Sequence, residues 1–481
     1  MGADIVNTDW IVTLLETLAW IIVIYMLFVV LLYLVLFLIA TPKVRREQKL
    51  NRKEQIEGMS VNPDTYPISI LVPAYNEEIG IVSSVQSLLT LNYPEYEVIV
   101  VNDGSEDETS ERMIEAFQMK PISLATRKHF ETEEVVAAYQ STIDRQLFMI
   151  EKENGGKGDA LNAGINFSTY PYFASIDADS ILEKDALLKT MKPIIDSSGQ
   201  VTATGGTVRI ANGSQMEQNE IKTISLPKKP LEIMQIIEYF RGFLIGRLGF
   251  SRTNMLLIVS GAFGVFEKGR VVRVGGYDRT TVGEDMELIV RIHRSIKDEK
   301  SDQRIEYIQD PVCWTEAPST FQSLKAQRIR WQRGLAETVW RHKGMMFNPK
   351  YKRVGLFSLP YYTFVELLSS VAEFLGYFII ILGLVFAFID PAIAAVMFAV
   401  TILYASLLSA LSVMLEEWTY HKYQDVKSLP ILYLYALTEG FWYRPLMVSF
   451  RIVGLFSAFK RKREWGDMDR KGIDQSEQKA G

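Results

Sequence analysis

Two acidic motifs are the strongest candidates for chemistry in this 481-residue chain. Asp177-Ala178-Asp179 follows the apolar run at residues 172–176, a pattern that predicts a buried strand ending in two carboxylates. Residues two apart in an extended strand point to one face, so both carboxylates are expected to approach one hard cation, Mg²⁺ or Mn²⁺. The alternative is a pair of solvated turn residues, which is common for an Asp-x-Asp triplet. With only four histidines, a zinc site is not expected.

The second acidic motif, Gly283-Glu284-Asp285, precedes a helical pattern with apolar residues at Met286, Ile289 and Val290. Its position predicts a carboxylate at the start of a helix, separate from the cation pair. Such a group can take a proton from an attacking hydroxyl. The structural alternative for Asp285 is a helix-start carboxylate that the helix dipole favours.

Polar residues follow two further predicted strands, at residues 68–72 and 97–101. Tyr75 and Glu77 come after the first strand and Asp103 after the second. Parallel strands of an open α/β sheet present their ligand crevice at the carboxyl ends, where a tyrosine can stack on a base and carboxylates can accept from base or ribose donors. Each motif alone is equally compatible with ordinary turn and capping chemistry.

Two helix starts are predicted nearby. Residues 105–108 match a capping box that opens a helix after the second strand. The glycine-rich run 154–158 places Lys157 at another helix start, an arrangement that suits a phosphate. Its spacing differs from that of a Walker loop, so an ATPase is disfavoured.

The sequence Gln327-Arg328-Ile329-Arg330-Trp331 lies on a predicted helix from Thr320 to about Arg341. Gln327, Arg330 and Trp331 are at positions i, i+3 and i+4 and therefore share one face, which could meet a diphosphate and a sugar ring together. A basic helix that contacts anionic lipid is the alternative.

Composition divides the chain between a soluble domain and a bilayer. Its hydrophobic content of 48% is high for a soluble enzyme, yet 23% of its residues are charged. The net charge of −5 gives no basic surface for nucleic acid, so none is expected as a partner. The single cysteine, Cys313, is predicted to be a small core residue.

Three stretches are long and apolar enough to cross a membrane: residues 17–40, 367–389 and 391–415. Basic clusters at residues 43–53 and 460–463 predict, by the positive-inside rule, that the intervening domain and the tail share the cytoplasmic side. Residues 429–459 contain Glu439, Arg444 and Arg451, so we expect an interfacial or re-entrant segment there; a spanning helix plus a surface helix is the alternative.

Together these motifs resemble the membrane-embedded, processive family 2 glycosyltransferases with a GT-A fold, the group that includes cellulose, hyaluronan and poly-N-acetylglucosamine synthases. The resemblance covers roughly residues 67–341 and implies roles for individual residues. Tyr75, Glu77, Asp103, Lys157 and Asp177 resemble nucleotide contacts, Asp177 and Asp179 metal ligands, and Asp285 the general base. Ser260 and Gly261 are similar to the acceptor-side loop, and Gln327, Arg330 and Trp331 match the signature beside the acceptor and diphosphate.

The resemblance divides the chain into six parts. These are an N-terminal transmembrane anchor (1–42), a basic linker (43–66), an α/β GT-A catalytic domain (67–345), an interfacial segment (346–366), C-terminal transmembrane and interfacial helices (367–459) and a basic, polar tail (460–481). Two segments, 120–146 and 212–252, are long for links between neighbouring elements of such a domain.

The implied function is inverting, processive transfer from a UDP-sugar, N-acetylglucosamine or glucose, to a growing β-linked polysaccharide at the cytoplasmic face of a plasma membrane, coupled to export. The alternatives are single addition to a lipid acceptor and an inactive, nucleotide-binding scaffold. Few predicted spans suggest self-association or a small membrane partner for export.

Overall fold

A mixed α/β domain forms the centre of the chain, which a computed structural model describes at residues 9–50, 65–123, 127–217, 220–386, 390–420, 423, 425 and 427–458. Both basic flanks used to predict the orientation lie outside the described side chains, as do most of the predicted linker and the tail. The strands are β1 Ile68–Ala74, β2 Tyr96–Asp103, β3 Met119–Pro121, β4 Val135–Ser141, β5 Leu147–Lys152, β6 Tyr172–Ile176, β7 Ser180–Leu182, β8 Val201–Ile210, β9 Gln215–Glu217, β10 Glu220–Thr223, β11 Phe263–Glu267 and β12 Arg304–Thr315.

Helices surround this sheet and extend away from it. They are α1 Asp9–Leu50, α2 Ile81–Leu89, α3 Thr109–Ala116, α4 Lys157–Phe167, α5 Ala186–Asp196, α6 Pro230–Phe240, α7 Leu248–Ser251, α8 Lys268–Arg273, α9 Glu284–Asp298, α10 Phe321–Arg341, α11 Leu359–Tyr361, α12 Ser369–Val385, α13 Pro391–Thr419, α14 Ser428–Thr438 and α15 Tyr443–Ala458. Arg241–Arg247, Val354–Ser358 and Tyr362–Leu367 are π-helical, and Lys343–Met345, Pro349–Tyr351 and Glu439–Phe441 are 3₁₀ turns.

Ten described strands form one sheet in the order β3-β4-β5-β2-β1-β6-β11-β8-β12-β7. The predicted parallel centre is present: β1 pairs in parallel with β2 and with β6, and β2 with β5. Every residue of β2 and β6 is buried, because helices cover both faces of the sheet and apolar side chains fill each interface. The carboxyl ends of β1, β2 and β6 therefore meet at one edge. Tyr75 and Asp177 directly follow β1 and β6 there, and Asp103 is the last residue of β2.

The two long segments contain secondary structure rather than plain links. Within residues 120–146, β4 pairs antiparallel with both β3 and β5 and extends the edge of the sheet. Within residues 212–252, β9 and β10 form a separate two-stranded sheet, and α6, the π-helix Arg241–Arg247 and α7 follow. The predicted capping box at 105–108 is wrong, because α3 begins only at Thr109 and its N-cap, Glu108, makes no side-chain cap.

By length and composition, two described helices could cross a membrane, Thr13–Pro42 and Val354–Val385, while Pro391–Val400 is a shorter apolar helix. The second of these helices begins at Val354, earlier than the predicted stretch 367–389, because π-helical turns lead from Val354 towards α12. Within the predicted interfacial segment 346–366, Tyr361 and Tyr362 are buried and their rings pack against Phe250 of α7, whereas Phe357 and Phe364 are exposed.

The first of these helices contacts the rest of the molecule directly. The hydroxyl of Tyr33 in α1 donates to Glu366 (2.9 Å), and Arg252 donates to the carbonyl of Ile39 (2.8 Å). Tyr361 donates to the same Glu366 oxygen (2.9 Å). Helix α1 is thus packed against the α/β domain and residues 354–367 instead of being joined only through a linker.

Candidate active site

A single cavity of about 1300 Å³ lies at the carboxyl edge of the sheet and extends to helix α10. Every site residue singled out in the sequence lines it: Tyr75, Glu77, Asp103, Lys157, Asp177, Asp179, Ser260, Gly261, Asp285, Gln327, Arg330 and Trp331. Tyr75 and Trp331, far apart in the chain, therefore share one space that is large enough for a nucleotide and a sugar together.

The triplet Asp177-Ala178-Asp179 occupies a turn between β6 and β7, in which the Ser180 N–H donates to the Asp177 carbonyl (3.0 Å). The prediction that strand alternation aligns the two carboxylates is therefore wrong. The turn, not the strand, brings the two side chains to the cavity wall, where both are half-buried.

Burial and the charge of nearby Asp177 raise the pKa of Asp179 to about 7, and Glu316 adds to the effect. Within the described part of the chain, no cluster of three or more His, Cys, Asp or Glu residues is arranged to hold a metal. Two carboxylate side chains nevertheless suit an oxygen-ligated cation that takes its remaining ligands from a diphosphate and water. The donor chemistry at Asp177 and Asp179 thus fits Mg²⁺ or Mn²⁺.

Lys157 connects the acidic groups across the cavity. Its Nζ lies 2.5 Å from Asp177 Oδ1 and 3.8 Å from Glu284 Oε1, and it donates to the Gly261 carbonyl at 3.2 Å. Burial alone would lower the pKa of Lys157, but Asp177 and Glu284 outweigh burial and raise it. The lysine is therefore a fixed positive charge at the start of α4, placed where a phosphate can bind.

Asp103 is held by the protein itself. Its carboxylate accepts from Lys152 and from the backbone N–H groups of Gly155 (3.1 Å) and Gly156 (2.7 Å), and only 3% of the residue is exposed. Burial raises its pKa, although Lys152 opposes the change. Asp103 thus shapes the glycine-rich loop before Lys157, a structural role that the sequence-based assignment as a nucleotide contact did not include.

The first strand end is more open at Tyr75 than at Glu77. Tyr75 is half-buried at the cavity wall, whereas only 7% of Glu77 is exposed. The Glu77 backbone N–H donates to the Thr109 hydroxyl (2.9 Å), which attaches this loop to the start of α3. Tyr75 is therefore the better placed of the two to stack on a base.

Asp285 lies in the first turn of α9 and faces the glycine of the Ser260–Gly261 loop. Its Oδ1 accepts the Met286 N–H (2.7 Å), and a β-carbon added at Gly261 would lie 3.2 Å from both Asp285 Oδ2 and Lys157 Nζ. The absence of a side chain at Gly261 thus leaves room beside the carboxylate. A hydroxyl bound there could pass its proton to Asp285.

Helix α10 begins with Thr320 as its N-cap and ends at Arg341, as predicted. Gln327, Arg330 and Trp331 all line the cavity from this helix. Arg328 lies in the same motif, is buried, and contacts Gln327 and Trp331. It donates to Gln327 Oε1 (2.6 Å), and its guanidinium lies 4.2 Å from the centre of the Trp331 ring.

Sequence reasoning assigned no role to Glu284 or Arg328. Glu284 lines the cavity beside Lys157, and burial raises its pKa. Glu284 could have been noticed because it is adjacent to Asp285 in the same motif. Residue type alone does not show which of the two carboxylates has a chemical role. Arg328 lies within the recognised motif, and its burial depends on contacts that sequence spacing does not reveal.

Helices α9 and α10 touch at a glycine pair. A β-carbon on Gly334 would lie 2.8 Å from the Gly283 Cα, so Gly334→Ala should push the start of α9, with Asp285, away from the cavity. We expect a transfer rate lower by about tenfold or more, since small misplacements of catalytic groups are costly. Steady-state kinetics and thermal unfolding measure this effect. Gly344→Ala, with nothing within 4 Å of the added carbon, is the control, and equal rates for both variants would contradict the expectation.

The mixed sheet, with a carboxylate-lined cavity at its carboxyl edge, has a GT-A-like α/β fold. Two family models match the chain: "Glycosyl transferase family 2" at residues 69–129 and "Glycosyltransferase like family 2" at residues 122–334. The two matches together cover residues 69–334, so the chain contains a family 2 glycosyltransferase domain there.

Curated relatives match a little under two thirds of the chain. The chain is 28% identical to the poly-β-1,6-N-acetyl-D-glucosamine synthase of Staphylococcus epidermidis over 308 residues, which are 64% of this chain and 61% of the relative. The match to the synthase of Staphylococcus aureus strain COL is 28% over 306 residues, 63% and 62% of the two chains. The chain thus spans about three fifths of the length of these relatives.

A solved structure has a similar fold. The mannosyltransferase PcManGT from Pyrobaculum calidifontis, in complex with GDP-Man and Mn²⁺, aligns with a TM-score of 0.54 and 19% identity. The alignment covers 89% of this chain and 99% of that one, so the similarity of fold extends beyond the matched domain.

Proposed function

We propose that the chain transfers a sugar from a UDP-sugar to a growing β-linked polysaccharide, with inversion at the anomeric carbon. The observation that carries the proposal is the meeting of Lys157, the Asp177–Asp179 pair and Asp285 in one cavity with the Gln327–Trp331 face of α10. The cavity thus joins a site for a diphosphate to a separate base and to an acceptor side.

In this mechanism the acceptor hydroxyl oxygen attacks the anomeric carbon of the donor sugar. The new C–O bond forms as the bond from that carbon to the diphosphate oxygen breaks, and the diphosphate leaves with the electron pair. Asp285 takes the hydroxyl proton. Lys157 and Arg330 stabilise the leaving group through their positive charges.

Asp177 and Asp179 would hold the divalent cation. When bound, such a cation neutralises negative charge that develops on the leaving diphosphate. Lys157 already offsets the charge of Asp177 in the protein, so the pair with a cation would present a positive surface to the donor.

The acceptor side favours a polymer over a small molecule. Beyond Trp331 the cavity continues to Glu366 and Arg451, towards the two apolar helices. A chain of sugars could extend along this route and leave its terminal hydroxyl at Asp285. N-acetylglucosamine is the preferred donor sugar, because the curated relatives are named for its polymer; glucose is the second candidate.

The test is a donor panel. Purified protein in nanodiscs is given UDP-N-acetylglucosamine, UDP-glucose and GDP-mannose with Mg²⁺ or Mn²⁺, and nucleotide release and product size are followed. We expect release from a UDP-sugar and long products. Single-sugar products on lipid would favour the alternative of one addition to a lipid acceptor, and binding without turnover for every donor would favour an inactive scaffold.

We further propose a multi-pass arrangement in a plasma membrane, with the catalytic domain in the cytoplasm. The apolar helices Thr13–Pro42 and Val354–Val385 expose large hydrophobic side chains along their lengths, among them Phe28, Leu31 and Phe378, as lipid-facing helices do. A third span within α13 would put the two ends of the chain on opposite sides. Self-association or a small membrane partner would then complete an export path.

Cysteine labelling tests this arrangement. Single cysteines placed near Met1 and near Gly481, in a Cys313→Ser background, are treated with a reagent that does not cross membranes. We expect only the N-terminal cysteine to react from outside intact cells, and that of the tail to react only after lysis. Reaction of both ends from the same side would contradict the three-span arrangement.

A further inference from the structure

A buried group of three side chains joins the acceptor face of α10 to helix α15. Arg328 is 2% exposed and donates to Glu238 Oε2 in α6 at 2.7 Å. The hydroxyl of Tyr443, in the first turn of α15, donates to the same oxygen at 2.7 Å. Burial opposes the charge of Glu238, but Arg328 outweighs it and lowers the pKa of that carboxyl. The three elements are therefore linked by a charged, hydrogen-bonded contact.

Arg328 also determines how two cavity residues face a ligand. Gln327 lines the cavity and its Oε1 accepts from Arg328, so the group that its amide has left for a ligand is the NH₂, a donor. The guanidinium lies over the Trp331 ring, 4.2 Å from its centre, where a cation attracts the ring face. A planar cation with several donors can make the contacts to Glu238, Gln327 and Trp331 together, which a lysine cannot.

Helix α15 approaches α10 closely at this place. A β-carbon on Gly454 would lie 2.8 Å from Gln332 Cβ and 2.9 Å from the Ile329 carbonyl. The two helices therefore have little room to slide past each other near Arg328. The position of α15 is in this way coupled to the face that bears Gln327 and Trp331.

We propose that Arg328 is a positioning residue, which orients Gln327 as a hydrogen-bond donor and Trp331 as a stacking surface for the acceptor saccharide and is itself fixed by Glu238 and Tyr443. The inference rests on the proposed function. It assigns to the acceptor side a requirement for ligand oxygens that accept hydrogen bonds, as sugar hydroxyl and glycosidic oxygens do.

The experiment measures Arg328→Lys, Gln327→Ala and the double variant, with UDP-N-acetylglucosamine as donor and β-linked N-acetylglucosamine oligosaccharides as acceptors. We expect Arg328→Lys to raise the acceptor KM about fivefold or more, an effect comparable to losing one oriented hydrogen bond, while the Kd for UDP stays the same. In the Gln327→Ala background the lysine substitution should raise the acceptor KM by a smaller factor, because only its effect through Trp331 remains.

Arg270→Lys is the matched control. Arg270 is 4% exposed and bonds both oxygens of Glu299 at 2.9 Å, but it lies outside the cavity. Its substitution should leave the acceptor KM unchanged. Tyr443→Phe removes the hydroxyl that bonds Glu238 and Arg328, and it should raise the acceptor KM by a smaller factor. This variant replaces Arg328→Lys in the comparison if Arg328→Lys does not fold.

Two outcomes overturn the proposal. One is an unchanged acceptor KM in the folded variants; the other is a KM increase in the double variant that equals the product of the increases in the two single variants. Failure of the proposed function is a different result. In that case the wild-type protein itself transfers no sugar to the oligosaccharides.

Discussion

Replacing Asp285 by asparagine is expected to lower the transfer rate by about 10²-fold or more while the Kd for UDP stays near the wild-type value. Asparagine keeps the size of the side chain and can still accept the Met286 N–H, so the start of α9 should not change. What it loses is the ability to take a proton from the acceptor hydroxyl. Single-turnover transfer and UDP titration separate these two effects.

Glu284→Gln is the matched comparison for Asp285→Asn. Glu284 is the neighbouring carboxylate, lies 3.8 Å from Lys157 and lines the same cavity. We expect a smaller loss of rate, because its effect is on the charge around Lys157. A larger loss in Glu284→Gln, together with near-normal turnover in Asp285→Asn, would transfer the role of base to Glu284.

Removing the Asp179 carboxylate should weaken metal-dependent UDP binding by about tenfold or more, since it takes away one of the two side chains proposed to hold the cation. The change is Asp179→Ala, and the measurement is UDP affinity across a titration of Mg²⁺ and of Mn²⁺. UDP binding without metal should change little. The same substitution should also lower the transfer rate at limiting metal.

Asp196→Ala is the control for this loss of charge. Asp196 pairs with Lys192 at the end of α5, outside the cavity. Its removal should leave the metal titration as in the wild type. Identical titrations for Asp179→Ala and the wild type would show that the Asp177–Asp179 assignment is wrong.

Local patterns were sufficient to predict the centre of the sheet and the helices that carry the site. Apolar runs located β1, β2 and β6, since a strand buried on both faces needs continuous hydrophobic sequence. The start of α9 at Glu284 and the extent of α10, predicted from Thr320 to about Arg341, agree with the structure. Parallel strands share one carboxyl edge, so the motifs at the strand ends were expected to lie close together, and their side chains line one cavity. The chemical roles of these residues stay predictions.

Contacts between distant residues were not predictable from one sequence. The bonds from Glu238 to Arg328 and to Tyr443 join positions 90 and 205 residues apart. Asp103 is buried among Lys152 and backbone N–H groups that only the folded loop brings together. No local pattern distinguishes such a structural carboxylate from one that faces a ligand.

Two errors have a common physical origin. The Asp177–Asp179 triplet and residues 105–108 were each treated as part of a regular element, a strand and a helix, whereas both lie in turns. Aspartate and serine side chains stabilise turns and helix starts by similar hydrogen bonds to the backbone. The choice between these outcomes depends on the neighbouring strands and helices.

The anomeric configuration of the product tests the central claim most directly. The donor is UDP-N-acetylglucosamine, α-linked at its anomeric carbon, and the transferred sugar is examined by proton NMR of the purified oligosaccharide. A single displacement with Asp285 as base predicts a β-linkage in every newly added sugar. An α-linked product, or no product from any UDP-sugar with Mg²⁺ or Mn²⁺, would contradict it.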